Sequence, residues 1–361
     1  MIIKDPPIHL TKDLQARLEK ATSLITQLDG MANLLPNIDL FIAMYVKKEA
    51  LLSAQIEGTQ ASLEDIFEFE KGTKLENIND VVEVVNYIKA LHYGIDRLES
   101  LPLSLKLIKE LHAILLNGVR GAAKTPGEFR KTQNWIGRPG CTIQTASFVP
   151  PSSEDAIKAL GDLELYLHKK SPLPTLINCA LVHYQFETIH PFLDGNGRLG
   201  RLLITFNLYW TGVLKKPLLY LSYYLKKNRQ EYYDRLTLVR TKGDYEQWLS
   251  FFLDGVIQTS QDALEDSRKI LHLREKHQKL LWRKKVASPQ AVVLLEKLFY
   301  TPLMGIAEVQ KELKLSHQSA SNLVTMFEKV GILKEITGKK RGRRFAYTEY
   351  LAILSEGTKP L

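Results

Sequence analysis

Residues 190–201 read His190-Pro-Phe-Leu-Asp-Gly-Asn-Gly-Arg-Leu-Gly-Arg201 and lie between two apolar stretches of helical period, Thr175 to Phe186 and about Leu199 to Trp210. A chain written this way closes one helix on a histidine, makes a glycine-rich turn and enters the next helix at once. Gly195 and Gly197 let backbone N–H groups approach an anion closely, and the N-terminus of the following helix adds partial positive charge there. Arg198 and Arg201 are three residues apart and share a helix face, so two forked cations converge on one polyphosphate. Asp194, immediately before the glycines, is placed to hold a magnesium ion bridging phosphate oxygens. His190 is left beside the site as a general base, the side chain whose proton affinity suits neutral pH.

At every fixed position this string resembles the signature of the Fic-domain family, His-x-Phe-x-Asp/Glu-Gly-Asn-Gly-Arg-x-x-Arg. The resemblance implies a protein adenylyltransferase that moves AMP from ATP, with magnesium, onto a Ser, Thr or Tyr hydroxyl of a protein, itself included, and releases pyrophosphate. It implies that His190 deprotonates the hydroxyl, Asp194 binds magnesium and Gly195, Asn196 and Gly197 form the anion hole. Arg198 and Arg201 would then hold the β- and γ-phosphates, with Leu199 and Gly200 in the same ATP-binding turn. Family members that transfer phosphate instead carry Ala and Lys where this chain has Gly195 and Arg198. A lysine is a point charge rather than a fork, so the sequence sides with AMP transfer.

Upstream, Ser53-Ala-Gln-Ile-Glu-Gly58 resembles the family's inhibitory motif, in which a glutamate competes for the second arginine. Ser53 and Glu57 share a helix face, and Glu57 sits near a helix C-terminus, where the dipole calls for a compensating cation. Arg201 is the expected partner, and the chain resembles the subclass with an N-terminal inhibitory helix. The stretch Phe129 to Pro151 has strand-like alternation broken by glycine and proline and reads as a short hairpin or flap. By resemblance it aligns the target segment through main-chain pairing, with Ile136 and Gly137 near the nucleotide. Tyr232 and Tyr233 resemble residues lining an adenine pocket, although tyrosines at helical spacing also suit a core. Arg240 stands where relatives often have asparagine. His183 and Glu187 read as structural.

The rest of the chain of 361 residues supports a mainly α fold, with 45% hydrophobic residues, enough for more than one core. Apolar periodicity marks helices near residues 14–28, 39–56, 81–98, 103–116, 154–167, 228–239 and 245–282, and Ser62 with Asp65 opens another as a capping box. Cys141 and Cys179 are far apart and form no CxxC, so neither a disulfide framework nor a thiolate zinc site is expected. The N-terminus, Met1 to Pro7, lacks a secretory pattern, and no apolar run approaches a membrane span, which reads as cytoplasmic without a membrane partner. The net charge of +9 is uneven: between Arg283 and Arg344, 13 Lys/Arg oppose 5 Glu and no Asp. Helical segments at Pro289 to Leu298, Ile306 to Leu313 and Ser316 to Val330, followed by a basic hairpin, suggest a winged helix-turn-helix.

The expected architecture is therefore an N-terminal helical region over 1–100 with the inhibitory helix, a Fic-type helical core over 101–282 with its flap, and a winged helix-turn-helix over 283–361. His317, Gln318 and Ser321 on the second helix of that last module, with Arg341, Arg343 and Arg344 on the wing, are candidates for DNA contact. Winged helices also dock proteins or dimerise, so a homodimer is equally compatible. The competing functions are a DNA-binding regulator with a sensory or self-modifying core, and a de-AMPylase in which Glu57 orients water.

Overall fold

The apolar spacings become a succession of helices, each started by a side-chain cap where the chain supplies one. The computed structural model describes residues 8–34, 38–70, 72, 77–119, 121–138, 140–339, 341–356 and 358. Met1 to Pro7, Pro139 of the flap and Lys340 of the wing lie outside the described residues. Helix α1 (Lys12–Leu34) precedes α2 (Ile38–Ile56), α3 (Leu63–Glu70), α4 (Ile78–Leu98) and α5 (Leu105–Leu115). Then come α6 (Ser153–His168), α7 (Thr175–Ile189), α8 (Asn196–Trp210), α9 (Ser222–Lys227), α10 (Arg229–Lys242) and α11 (Tyr245–Arg283). Ser62 and Asp65 cap α3 reciprocally, Asp65 N–H on Ser62 Oγ at 3.2 Å and Ser62 N–H on Asp65 Oδ2 at 2.9 Å. Ser104, Ser152 and Asp244 cap α5, α6 and α11 in the same sense.

Helix α7 is buried on nearly every side, because α6, α8, α10 and α11 surround it. A helix enclosed in this way reads as apolar all round, and its C-terminus is delivered into the interior rather than to the surface. Residue Gly94 of α4 lets Phe206 of α8 approach so closely that a Cβ there would collide with the ring. The site-bearing α8 is thus clamped between α4 and α7. No helix among the described residues is long and apolar enough to cross a membrane.

The flap is less regular than its alternation suggested. A single antiparallel bridge joins Ile136 and Phe148, with N···O distances of 2.8 and 3.1 Å, around a short turn at Ile143–Thr145. The ladder stops there because Pro150 and Pro151 have no N–H to extend it. Trp135 Nε1–H closes the loop on the Cys141 carbonyl at 3.0 Å.

After α11 the chain forms α12 (Pro289–Tyr300), β1 (Leu303–Gly305), α13 (Ile306–Leu313), α14 (His317–Lys329), β2 (Lys334–Glu335), β3 (Arg344–Ala346) and α15 (Thr348–Leu354). The three strands make an antiparallel sheet ordered β1-β3-β2, Leu303 facing Ala346 and Glu335 facing Phe345. Strand β1 and helix α15 carried too little periodicity to be anticipated. Arg344 also departs from the expected exposed wing: its guanidinium pairs with Glu308 and, at 2.9 Å, with Glu68 of α3. This half-buried guanidinium meets two carboxylates, so its charge is answered within the fold. Arg341 is exposed and Arg343 half-buried.

This last unit also reaches α2. Gln55, buried two residues before Glu57, donates from Nε2 to the carbonyls of Ala61 at 3.0 Å and Thr358 at 2.7 Å. It accepts from Lys226 Nζ at 2.7 Å. Replacing Gln55 by Leu strands these groups away from water, so stability falls by about 1–3 kcal/mol. A lower urea midpoint at unchanged slope would show it, and an unchanged midpoint would contradict the assignment.

Candidate active site

The chain between α7 and α8 is held by its own backbone and by Asn196. His190 adopts the left-handed conformation, φ 48° and ψ 61°, ending α7 with its N–H on the Phe186 carbonyl. Gly195 repeats that conformation at φ 75° immediately before α8, where a side chain would be strained. Asn196 Oδ1 accepts the Phe192 N–H at 2.9 Å and its amide returns a bond to the Phe192 carbonyl at 2.8 Å. Helix α8 therefore begins at Asn196, three residues before the apolar period announces it. Asn196 and Gly197 belong to its first turn, whose N–H groups have no partner within the helix.

Two buried guanidiniums rise from this turn. Arg198, 3% exposed, pairs with Glu83 of α4 at 3.2 Å and with Asp194 at 3.5 Å. Arg201, 2% exposed, donates from Nε to Ser53 Oγ at 2.8 Å and from Nη2 to the Ser53 carbonyl at 2.9 Å. It also pairs with Glu57 Oε1 at 2.8 Å, so the residues from α2 and α8 expected to meet do meet. A Cβ on Gly197 would collide with that same Oε1. The Glu57 carboxylate thus lies against the first turn of α8, where an anion is best accommodated. Partial burial would raise its carboxyl affinity for a proton, but Arg201 and then Arg198 overcome this and hold it below the ordinary value.

His190 Nδ1 is buried and makes no hydrogen bond, and burial pushes the imidazole down to about 4 against the opposing charge of Glu57. The ring is neutral at pH 7 and able to take a proton. Its carbonyl accepts from Arg130 Nε at 3.0 Å, and Arg130, 1% exposed, also bonds the carbonyls of Thr132 and Pro151. Asn134 bridges to the Phe192 carbonyl at 2.9 Å. Arg130 and Asn134 therefore fix the flap base to the turn between α7 and α8. Asp194 keeps 35% side-chain exposure, with Oδ1 on the Gly195 N–H at 2.6 Å. Among the described residues no group of three His, Cys, Asp or Glu side chains forms a metal cluster. A single reachable carboxylate beside an anion-binding turn fits magnesium, which is commonly held by one carboxylate and substrate phosphates.

Sequence reasoning missed His112 of α5. Gly127 N–H donates to its Nδ1 at 2.8 Å, so Nε2 bears the hydrogen and donates to the Asp194 carbonyl at 3.0 Å. The ring stacks on Phe192 at 3.7 Å, and burial lowers its proton affinity to about 4. A histidine on the apolar face of a helix was the available signal, and that alone points no further than a core position.

The two tyrosines part company. Tyr232 is buried among Trp248 and Phe251 with its hydroxyl on His183 Nε2 at 2.8 Å, while His183 Nδ1 meets the Gly200 carbonyl at 2.9 Å. It props α8 from behind, in the packed interior. Tyr233 is half-buried beneath the Arg229 guanidinium, 5.4 Å from its ring, on the side of Glu57 and Arg201. Leu199 is fully buried in the core, and Gly200 packs against Glu187, so neither offers a side chain to a ligand. Ile136 is exposed at 38% on the flap, Gly137 lies against Cys141 and Ser147, and Arg240 stacks on Phe148 at 3.8 Å, pinning the flap to α10.

Residues 15–96 match the Fic/DOC family N-terminal profile and residues 102–208 match the Fic/DOC family profile. The chain thus carries a Fic/DOC N-terminal domain followed by a Fic/DOC domain. It is 31% identical over 224 residues to the Protein adenylyltransferase Fic of Drosophila grimshawi, covering 59% of this chain and 43% of that protein. The namesake in Drosophila melanogaster is 30% identical over 224 residues, covering 59% and 42%. The chain spans less than half the length of these curated relatives. A Fic family protein from Desulfovibrio desulfuricans shares the fold over 95% of this chain and 98% of its own, with TM-score 0.63 and 19% identity. Fic-1 from C. elegans covers 72% of this chain and 73% of its own, with TM-score 0.54 and 22% identity.

Buried neutral imidazoles make stability depend on pH. His112, His183 and His190 are all lowered to about 4 in the fold against an ordinary 6.5. Their contribution is complete above pH 6.5 and is lost as pH falls toward 4, because the unfolded chain then binds protons that the fold resists. Buried Glu49 and Glu187, pushed up to about 7, act with the opposite sign over the same window, so melting temperature should fall from pH 6.5 to 5 only by the excess of the three imidazoles over these two carboxyls. In His112→Asn that fall should be shallower; an identical slope would remove His112 from the account.

Proposed function

We propose that this protein transfers AMP from ATP to a hydroxyl side chain of a protein substrate, and that Glu57 restrains it. The observation that carries the reading is the Glu57 carboxylate bonded to Arg201 and seated on Gly197 at the head of α8. That is the place an anion would otherwise take. The reading follows from the family of the domain and from a histidine that is neutral at pH 7 beside that turn.

In the forward direction His190 accepts the proton of the target Ser, Thr or Tyr hydroxyl. The hydroxyl oxygen forms a bond to the α-phosphorus as the bond from that phosphorus to pyrophosphate breaks. The first-turn amides at Asn196 and Gly197, with Arg198 and Arg201, hold the negative charge of the phosphates. Asp194 would hold magnesium, whose role is to neutralise phosphate charge. With Glu57 in place, a nucleotide loses the Arg201 contact, worth about 1.5–3 kcal/mol for a hydrogen bond to a charged group.

Labelling with α-labelled ATP and magnesium tests this directly. Glu57→Gly should self-label or label substrate roughly ten- to a hundredfold more than wild type, and Glu57→Gly/His190→Ala should fall to background. Equal labelling by the double variant and its parent would discard His190 as the base. Glu57→Gly should also melt lower than wild type, since the buried Arg201 loses a carboxylate, and ATP should restore part of the loss. Gain of activity together with loss of stability distinguishes restraint from a structural role.

A second activity is proposed for the last unit as a winged helix-turn-helix. His317, Gln318 and Asn322 are exposed on α14, Ser321 is half-buried there, and Arg341 is exposed beyond β2. On that reading the unit binds duplex DNA with strong salt dependence, and Arg341→Ala with Arg343→Ala lowers both affinity and salt slope. Absence of binding at low salt would leave protein docking as the role of the unit.

A further inference from the structure

A cavity of about 270 Å³ opens on another face of α2, lined by Tyr45, Lys48 and Leu52 of that helix, by Tyr223 and Lys227 of α9 and by α11. Tyr45, Lys48 and Leu52 follow i, i+3, i+7 spacing, so they form one stripe distinct from the stripe of Ser53 and Glu57. Glu356, just beyond α15, completes the rim. The cavity is slightly smaller than the roughly 300–1,000 Å³ of sites for drug-sized ligands, which suits a metabolite of amino-acid size.

Its charges decide what it would hold. Buried Asp266 is already answered, by the Tyr45 hydroxyl at 3.0 Å, Lys48 at 3.6 Å and Lys269 at 3.8 Å. Glu265 takes Lys269 at 2.8 Å. Around the same cavity Asp262, Glu356 and Lys227 make no ion pair among the described residues; Asp262 accepts only the Gln258 amide, at 2.8 Å. Lys269 feels Glu356 through space without closing an ion pair, so two carboxylates and one ammonium, exposed or half-buried, remain complementary to a ligand with two cationic groups and one anionic group. The Tyr223 ring already lies under the Lys48 ammonium, 5.7 Å from its centroid, so the aromatic wall offers apolar lining to a ligand stem and not a further cation seat. After burial, the charges of Asp262, Glu356 and Asp266 also hold the Tyr223 hydroxyl above its ordinary range, as a cation-seeking field would.

We propose that this cavity binds a basic α-amino acid, its carboxylate on Lys227 and its two cations on Asp262 and Glu356. The proposal is independent of the transferase reading, because binding is measured without nucleotide. Calorimetry on the full chain with L-arginine and L-lysine should give saturable binding. Agmatine, which lacks the carboxylate, and citrulline, which lacks the side-chain cation, should each bind at least tenfold more weakly. Asp262→Asn, Glu356→Gln and Lys227→Met should each weaken arginine roughly tenfold or more. Lys227→Met should leave agmatine affinity unchanged, which a merely structural effect would not do. All three positions are exposed or half-exposed, so the variants fold and an unchanged melting profile verifies it. No heat of binding for either amino acid at millimolar concentration overturns the proposal. So does arginine binding that the three substitutions leave intact.

Discussion

The guanidinium of Arg201 is 2% exposed, and the surrounding structure is arranged to make that tolerable. Burying a charge costs several kcal/mol unless partners replace the lost water. Ser53 of α2 supplies two acceptors and Glu57, just past the end of that helix, a carboxylate, so the segment that answers the charge belongs to a different part of the chain from the helix that carries it. The satisfaction of one cation therefore fixes α2 against α8. It also leaves a choice: whichever anion occupies the first turn of α8 completes the shell of Arg201, whether a side chain of the protein or a phosphate.

That arrangement depends on supports further out. Tyr232 and His183 brace α8 at the Gly200 carbonyl, and His112 holds the Asp194 carbonyl from α5. Arg130 ties the flap base to the His190 carbonyl. On the far side of α2, Gln55 links Lys226, Ala61 and Thr358, and Arg344 joins α3 to the C-terminal sheet. The end of α2 is consequently in contact with both the turn before α8 and the C-terminal unit.

Much of this was legible before any coordinates. The long period of α11 was read nearly to its ends, at 245–282 against Tyr245–Arg283, because its apolar stripe is uninterrupted. Charge and helix position called for a cation opposite Glu57, and the resemblance of its motif pointed to Arg201, which the fold brings to it. Other residues were not legible for identifiable reasons. Helix α8 starts at Asn196 rather than near Leu199, since a first turn of Asn and Gly carries no apolar signal and is set by the Asn196 bonds to Phe192. The burial of Tyr232 against His183 and Trp248 carries no mark in its helical spacing, since those partners come from other helices. Arg344 belongs to a basic run in the sequence, yet Glu308 and Glu68 reach it from elements 36 and 276 residues away.

The amino-acid sequence by itself determined what the turn is made of, glycines, guanidiniums, a carboxylate and an imidazole within one short stretch, because those groups are neighbours along the chain. It also determined most helices, whose hydrogen bonds close within four residues. Tertiary structure decided occupancy and burial. Whether a cation faces solvent or a carboxylate, whether an imidazole is neutral, and which helix face meets which neighbour depend on groups distant along the chain. Desolvation acts through space, and no local spacing encodes it.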